Sequence, residues 1–302
     1  MNSTKPVNHV SGHLAALFSI GVWGVTFIAT KLLLVDFTPI ETMFYRLLLA
    51  VLALFIASPP RLRDLRFDLR TLSSEWKIMA AGLCGVTLYF ICQNIALNYT
   101  QAANAGVLVS VAPLFTALVS RFILKEPLKA NFLLGFSLAM AGILLVTFSG
   151  SGQLKLNPLG DLLSILAALS WAFYGVIIKQ VGTSQQTILV TTRKVFFYGL
   201  LFLLPLLPFF EFRSDLGRLI QPANLFNMIF LGVIASALCY ITWNYAVGQL
   251  GPVKTSAYIY LIPVITIIFS LLVLHETITL LSLGGMLLIL SGMAISEREK
   301  QA

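Results

Sequence analysis

Charged residues are scarce in this chain of 302 residues. They form 11% of it, against about 25% in soluble globular domains, and hydrophobic residues form 58%, against about 45–50%. The mean hydropathy is +0.90. A chain of this size has too little interior to hide so much apolar surface from water. The composition therefore argues against a soluble enzyme and a disordered protein, and it predicts that lipid surrounds most of the chain.

Cysteine and histidine are also rare, with three of each. Cys84, Cys92 and Cys239 lie in apolar stretches without C-x-x-C spacing, which is typical of packing residues and not of a disulfide or metal framework. The histidines fall at the ends of apolar runs or outside them, and no H-x-x-x-E or G-x-S-x-G motif is present. An intramembrane enzyme is therefore disfavoured, and we expect no cofactor and no metal. The N-terminus has no short apolar segment followed by a cleavage site, so we expect no removed signal peptide.

Long apolar runs take the place of these missing features. A membrane-spanning helix needs about 20 apolar residues. The sequence predicts ten such spans, near residues 13–34, 38–58, 76–97, 102–123, 128–149, 159–181, 187–209, 224–247, 253–274 and 278–296. Most links between them are only a few residues long, so consecutive helices must be antiparallel neighbours. The predicted fold class is an all-α polytopic membrane protein with ten transmembrane helices.

The basic residues predict the orientation of these spans. With the N-terminus placed in the cytoplasm, 15 of the 20 Lys and Arg residues fall on the inner side, 4 on the outer side, and Arg46 inside a span. Such a bias predicts that both termini are cytoplasmic, in the inner (cytoplasmic) membrane of the cell. Because the cations are spread along the membrane rims, the sequence gives no support for nucleic acid as a partner.

The chain also resembles itself. At an offset of 150 residues, identical residue types coincide at Gly82, Asn94, Ala96, Pro113, Thr116, Leu124, Glu126, Gly135 and Gly142. At an offset of 148, Trp23 coincides with Trp171. The two halves, 12–149 and 159–296, would each contain five spans, and an odd number makes the second half enter the membrane from the opposite side. This pattern predicts an inverted repeat.

The first span of each half contains a tryptophan, and the ninth span carries a family pattern. Its segment Leu261-Ile262-Pro263-Val264 leads to Leu274-His275-Glu276 and is followed by Gly284-Gly285 and Gly292. In these features the chain resembles the ten-helix EamA-type branch of the drug/metabolite transporter superfamily. The resemblance implies a secondary carrier with two pseudo-symmetric halves around a central cavity. Members of that family move amino acids, other metabolites, sugars and toxic compounds, often outward.

Polar residues at membrane depth are the first candidate site residues, because polar groups in hydrocarbon are costly. They form two predicted clusters, Asn94, Asn98 and Asn104 near the outer end, and Tyr240, Asn244 and Tyr258 near the inner end. As a functional site, the clusters would be gates or substrate contacts at opposite ends of the cavity. As a structural feature, they would be interhelical hydrogen bonds that fix hairpins, worth about 0.6–2 kcal/mol each.

Arg46 and a set of mid-span aromatic residues are the second candidate. Arg46 cannot be deprotonated, so it could receive a substrate carboxylate, or else pair with Glu41 or extend to an interface. Trp23, Trp171 and Tyr174 lie near mid-span, where they could line an aromatic cavity or serve as packing wedges. No carboxylate lies deep in any span, which disfavours a pump for small cationic drugs.

Together these features predict a secondary transporter that works by alternating access. We expect the substrate to be a small neutral or zwitterionic metabolite with an apolar or aromatic part, such as an amino acid, moved outward. A lipid-linked sugar flippase and a broad drug-efflux carrier remain alternatives, and a channel or an intramembrane enzyme remote ones. The expected partners are this substrate and the lipid bilayer; since both halves lie in one chain, a monomer suffices for the fold.

Overall fold

The computed structural model describes residues 9–59, 69–99, 108–149, 157–182, 185–213, 217–274 and 280–297. All regular secondary structure within these ranges is helical, so the predicted all-α fold class is confirmed. The helices are α1 (His9–Leu33), α2 (Pro39–Ala57), α3 (69–99), α4 (Ala112–Ile123), α5 (Ala130–Ser149), α6 (Pro158–Val181), α7 (Gln185–Leu203), α8 (Pro222–Leu250), α9 (252–274) and α10 (Leu280–Glu297), with a single turn at Gly217–Ile220. Each predicted span overlaps one of them. Within the described ranges, segments of α2, α3, α6 and α8, and one that starts in α7, are long and apolar enough to cross a membrane, and the count of ten spans stays a prediction.

Local sequence signals explain where several helices begin. Thr38 caps α2 in a reciprocal capping box, in which its side chain accepts from the Glu41 backbone N–H and the Glu41 carboxylate accepts from the Thr38 N–H. Asn157 caps α6 in a similar way, and Pro follows both caps as the first helical residue. The link from α8 to α9 is Gly251, whose φ of 85° lies in the left-handed region that favours glycine.

Helices α3 and α8 are each widened by a π-helical segment. In α3 it spans Leu83–Leu88, and in α8 it spans Phe230–Leu238. The 150-residue offset places the first of these on 233–238, inside the second. A π-helical segment disturbs the regular backbone ladder and is common at functional sites. The two wide segments therefore occupy equivalent positions in the sequence repeat.

These wide segments pack across the halves of the chain. The π-helical segment of α8 contacts α1 and α2, and that of α3 contacts α6 and α7. At both crossings a glycine permits backbone contact: a Cβ at Gly232 would lie 3.0 Å from the Arg46 carbonyl oxygen, and one at Gly82 would lie 2.7 Å from that of Val195. The third helix of each half thus belongs with the first two helices of the other half.

Helices α5 and α10 form a close pair of their own. A Cβ at Gly135 would lie 2.4 Å from the Gly292 carbonyl oxygen, and a Cβ at Gly292 would lie 2.5 Å from the Gly135 carbonyl oxygen. Gly142 makes the same kind of approach to Gly285. The small residues that repeat in the two halves therefore bring the two fifth helices together.

Candidate functional site: an aromatic cluster and a half-buried arginine

Aromatic residues from four helices meet near the middle of the bundle. We call them the ring cluster: Trp23 from α1, Tyr89 from α3, Trp171 and Tyr174 from α6, and Tyr240 and Trp243 from α8. Trp171 is central, with its ring centroid 5.4 Å from that of Trp23, 5.1 Å from Tyr89 and 5.6 Å from Tyr240. Its contacts with Trp23 and Tyr240 are edge-on, the geometry that aromatic quadrupoles favour.

The rings differ in how far they are enclosed. Tyr174, Tyr240 and Trp243 are at most 1% exposed, so they are core residues in this conformation. Trp23 and Tyr89 are only half-buried. Of the ring cluster, these two therefore offer the most surface to a ligand, while the enclosed rings support them from behind.

The two wide segments hold the ring cluster in place through hydrogen bonds. Trp23 Nε1 donates to the Ala235 carbonyl oxygen at 2.8 Å, and the Tyr240 hydroxyl donates to the Gly85 carbonyl oxygen at 2.9 Å. Ala235 and Gly85 are equivalent at the offset of 150 residues. Each π-helical segment thus accepts a hydrogen bond from an aromatic side chain of the opposite half.

Asn244 links three helices next to the ring cluster. Its Oδ1 accepts from the Tyr174 hydroxyl at 2.6 Å, and its Nδ2 donates to Thr192 Oγ1 at 2.9 Å. Both the amide and the tyrosine are almost fully enclosed. In this conformation the Tyr174 hydroxyl and the Asn244 amide therefore form an interhelical hydrogen bond.

Further contacts close the end of the bundle at which α1 begins, which we call the inner end. His13 Nδ1 and the Tyr258 hydroxyl lie within hydrogen-bonding distance, and Ser11 Oγ lies 2.7 Å from the Tyr245 hydroxyl. These contacts join the start of α1 to the end of α8 and the start of α9. Of the predicted inner-end residues, Tyr258 takes part in these contacts, whereas Asn244 bonds to Tyr174 and Thr192 and Tyr240 belongs to the ring cluster. All three side chains are buried.

Arg46 lies on α2 with one edge of its guanidinium fixed. Its Nε donates to Ser236 Oγ at 2.6 Å, and its Cζ lies 4.3 Å from the centroid of the Phe90 ring. Within the described residues the two Nη atoms make no hydrogen bond and no ion pair, and neither is among the buried polar atoms that lack a partner. Arg46 as a whole is half-buried, and its Nη edge is the part of the guanidinium that no described residue binds.

Glu41 is committed to other partners. Its carboxylate lies 3.1 Å from Arg218 Nη2, accepts from the Arg213 backbone N–H at 2.5 Å, and accepts from the Thr38 N–H at 2.8 Å. The structure thus decides against the alternative that Arg46 is neutralised by Glu41. The carboxylate instead ties the start of α2 to the link between α7 and α8.

The outer cluster is described only in part. Asn94 Nδ2 donates to the Pro39 carbonyl oxygen at 3.3 Å, so it joins α3 to the start of α2 and not to the ring cluster. The side chain of Asn98 and the whole of Asn104 lie outside the described residues.

Sequence reasoning missed Tyr89, Ser236 and Thr192. The repeat gave a signal close to Tyr89, because its neighbour Phe90 coincides with the predicted site residue Tyr240 at the offset of 150 residues. Ser236 lies among small apolar residues, and Thr192 gives no periodic signal, so only the helix packing reveals them. In the described part of the chain, no three His, Cys, Asp or Glu side chains group as metal ligands would.

Comparison with known proteins finds the same family and the same fold elsewhere. The model of the EamA-like transporter family matches residues 10–148 and again residues 158–297. A solved crystal structure that is 19% identical superposes with a TM-score of 0.74, over 95% of this chain and 96% of its own, which shows a shared fold.

Curated relatives extend over most of the chain. An uncharacterized transporter of Archaeoglobus fulgidus is 29% identical over 87% of this chain and 89% of its own length. The uncharacterized transporter YvbV of Bacillus subtilis is 29% identical over 96% and 92%. A protein of Streptantibioticus cattleyicolor named as a probable terminal-alkyne amino-acid exporter is 25% identical over 94% and 92%. The apolar helices and these matches identify a multi-pass membrane transporter, and the chain belongs to the EamA-like transporter family.

Proposed function

We propose that this protein is a secondary carrier that exports a small neutral or zwitterionic metabolite with an apolar or aromatic part, such as an amino acid. The observation that carries the proposal is the Nη edge of Arg46, which has no carboxylate partner among the described residues. The similar protein named as a probable terminal-alkyne amino-acid exporter supports the same class of substrate.

The charge of Arg46 favours an anionic group on the substrate. A cation at the centre of a membrane helix costs about 2.5–3.5 kcal/mol on insertion scales. A substrate carboxylate would offset this cost, because its two oxygens match the guanidinium fork and form charge-assisted hydrogen bonds. A cationic substrate would instead be repelled, and the repulsion is strong where the dielectric constant is low.

The ring cluster favours an apolar or aromatic part on the same substrate. Trp23 and Arg46 bind the consecutive residues Ala235 and Ser236, so the ring and the charge meet the same turn of α8. The half-buried faces of Trp23 and Tyr89 could stack on a flat apolar group. A zwitterion with an aromatic side chain would satisfy both neighbours.

Alternating access gives these contacts a role in transport. We place both termini in the cytoplasm, in keeping with the distribution of basic residues. The contacts of His13 with Tyr258 and of Tyr174 with Asn244 then close the cytoplasmic end of the path in this conformation. Transport would require these contacts to break while the outer contacts around Glu41 tighten or rearrange.

Transport by purified protein in liposomes tests the proposal. Radiolabelled L-phenylalanine is the probe, and Arg46→Gln removes the charge while keeping hydrogen-bonding groups. We expect the variant to raise the KM at least tenfold, with unchanged amounts of folded protein. Arg193→Gln is the matched control, because it makes the same change at an arginine that is buried and donates to the Ser58 carbonyl near the end of α2.

The outcomes separate the alternatives. A normal KM in Arg46→Gln would refute the carboxylate site. Selective transport of tetraethylammonium by the unmodified protein would refute the substrate class, and selective transport of a lipid-linked sugar would favour a flippase. Downhill flux that never accumulates substrate against a gradient, under any imposed ion gradient, would favour a channel.

A further inference from the structure

Two contacts fix the guanidinium of Arg46, and together they set the direction in which its Nη edge points. An arginine side chain is flexible, and holding it in one geometry costs rotamer entropy. Here the Ser236 hydroxyl accepts from Nε at 2.6 Å, and the Phe90 ring covers the guanidinium, 4.3 Å from Cζ to centroid. Only the edge formed by the two Nη atoms is left to meet a ligand.

Ser236 owes its place to the wide segment of α8. It is fully enclosed and lies inside Phe230–Leu238, directly after Ala235, whose carbonyl accepts from Trp23 Nε1. Two consecutive residues of one π-helical segment therefore orient the charged and the aromatic side of the candidate site. A π-helical segment disturbs the regular backbone ladder, so its carbonyl groups can accept hydrogen bonds from side chains of other helices.

The equivalent place in the other half is apolar. At the offset of 150 residues, Val86 is equivalent to Ser236. Val195 is equivalent to Arg46, because Gly82 approaches the Val195 carbonyl as Gly232 approaches the Arg46 carbonyl. Both valines are fully buried core residues. The backbone arrangement is thus repeated in the two halves, but the polar pair occurs once.

We propose that Ser236 is a positioning residue that orients Arg46 toward the substrate carboxylate, and that the carboxylate is always bound on the α2–α8 side of the path. This inference rests on the proposed function. It fixes the orientation of the substrate, since the two equivalent positions in the other half are buried valines, which offer no cation to a second anionic group. Monocarboxylates such as L-phenylalanine are therefore preferred over dicarboxylates such as L-glutamate.

Three variants in proteoliposomes test the positioning role. Ser236→Ala removes the acceptor for Nε, Ser236→Thr keeps a hydroxyl, and Val86→Ala truncates the mirrored residue as a control for lost packing. We expect Ser236→Ala to raise the KM for L-phenylalanine about tenfold while its maximal rate stays within twofold. Ser236→Thr should restore most of the affinity, and Val86→Ala should leave the KM within twofold.

Arg46→Gln in the same assay separates this inference from the proposed function. If Arg46→Gln loses affinity and Ser236→Ala does not, Ser236 has no positioning role and the carboxylate site stands. If Arg46→Gln keeps normal affinity, the proposed function fails and the positioning role fails with it. Equal rises in KM for Ser236→Ala and Val86→Ala would show lost packing and overturn the inference.

A chemical measurement needs no transported substrate. The reagent p-hydroxyphenylglyoxal attacks the two Nη atoms of an arginine, and peptide mass spectrometry reads the rate at Arg46. If Ser236 directs the Nη edge toward accessible space, Ser236→Ala should slow the modification at least threefold, and Ser236→Thr should not. An unchanged rate in Ser236→Ala would refute the positioning role whatever the substrate is.

Discussion

The contact between α5 and α10 allows a stability prediction to be worked from distances. In Gly135→Ala the new methyl group would lie 2.4 Å from the Gly292 carbonyl oxygen and 2.6 Å from the Ser296 backbone nitrogen. Both atoms belong to backbone and cannot rotate away. The two helices would have to separate by about 1 Å to restore ordinary contact, and a gap of that size forfeits about a quarter to a half of each dispersion contact.

We therefore expect Gly135→Ala to lower the free energy of unfolding by about 1–3 kcal/mol, the usual cost of overpacking. Gly284→Ala is the matched control, since it lies on the partner helix and a Cβ there meets nothing within 4 Å. That variant should be neutral or stabilised by up to about 1 kcal/mol, because alanine is the better helix former.

Thermal unfolding of the detergent-purified protein, followed by tryptophan fluorescence, gives the comparison. The Gly135→Ala variant should melt several degrees below the unmodified protein, and Gly284→Ala at or above it. Gly135→Ala combined with Gly292→Ala should cost less than the sum of the two, because one separation of the helices relieves both clashes. Equal melting temperatures for Gly135→Ala and Gly284→Ala would refute the close contact.

Three further predictions concern the membrane and the ends of the path. A reporter fused after Lys155, which lies outside the described residues, should read as external, and a cytoplasmic signal would overturn the orientation. Glu41→Gln should lower the free energy of unfolding by about 3 kcal/mol in chemical denaturation, because it removes the charge of a fully enclosed carboxylate that pairs with Arg218. Glu75→Gln should cost about 1 kcal/mol or less, because the Glu75 pair with Lys194 is about a quarter exposed; equal losses would contradict the role of burial. Cysteines replacing Asn94 and Tyr258 should change their labelling in opposite directions when substrate is added, and parallel changes would favour plain hairpin packing.

The packing across halves bears on how the carrier could move. Because α8 lies against α1 and α2, and α3 lies against α6 and α7, the two sequence halves are interleaved. Motion of one half against the other would break the glycine crossings at Gly82 and Gly232. Motion of the two mixed groups of helices would keep these crossings, and with them the place of Arg46.

The sequence by itself determined the helical, membrane-spanning class of this protein. Apolar length and composition are local properties, so the described helices lie where the apolar runs predicted them. The same holds for the glycines of α5 and α10: Gly135 and Gly142, like Gly285 and Gly292, are seven positions apart, which places each pair about two turns apart on one helix face. The caps at Thr38 and Asn157 are equally local, because they involve residues three or four positions apart.

Only the tertiary structure decided what the polar and aromatic residues do. Arg46 and Ser236 are 190 positions apart, and Trp23 and Ala235 are 212 apart, so no local pattern links them. Sequence left Arg46 with three possible environments, and the packing of α2 against α8 gave it the Ser236 hydroxyl and the Phe90 ring as neighbours, with Glu41 paired to Arg218 instead. Asn94 and Asn244 coincide in the repeat, yet one contacts the start of α2 and the other ties α6 and α7 to α8. A repeat in sequence fixes where equivalent backbones lie, whereas the partners of each side chain depend on the helix that packs opposite.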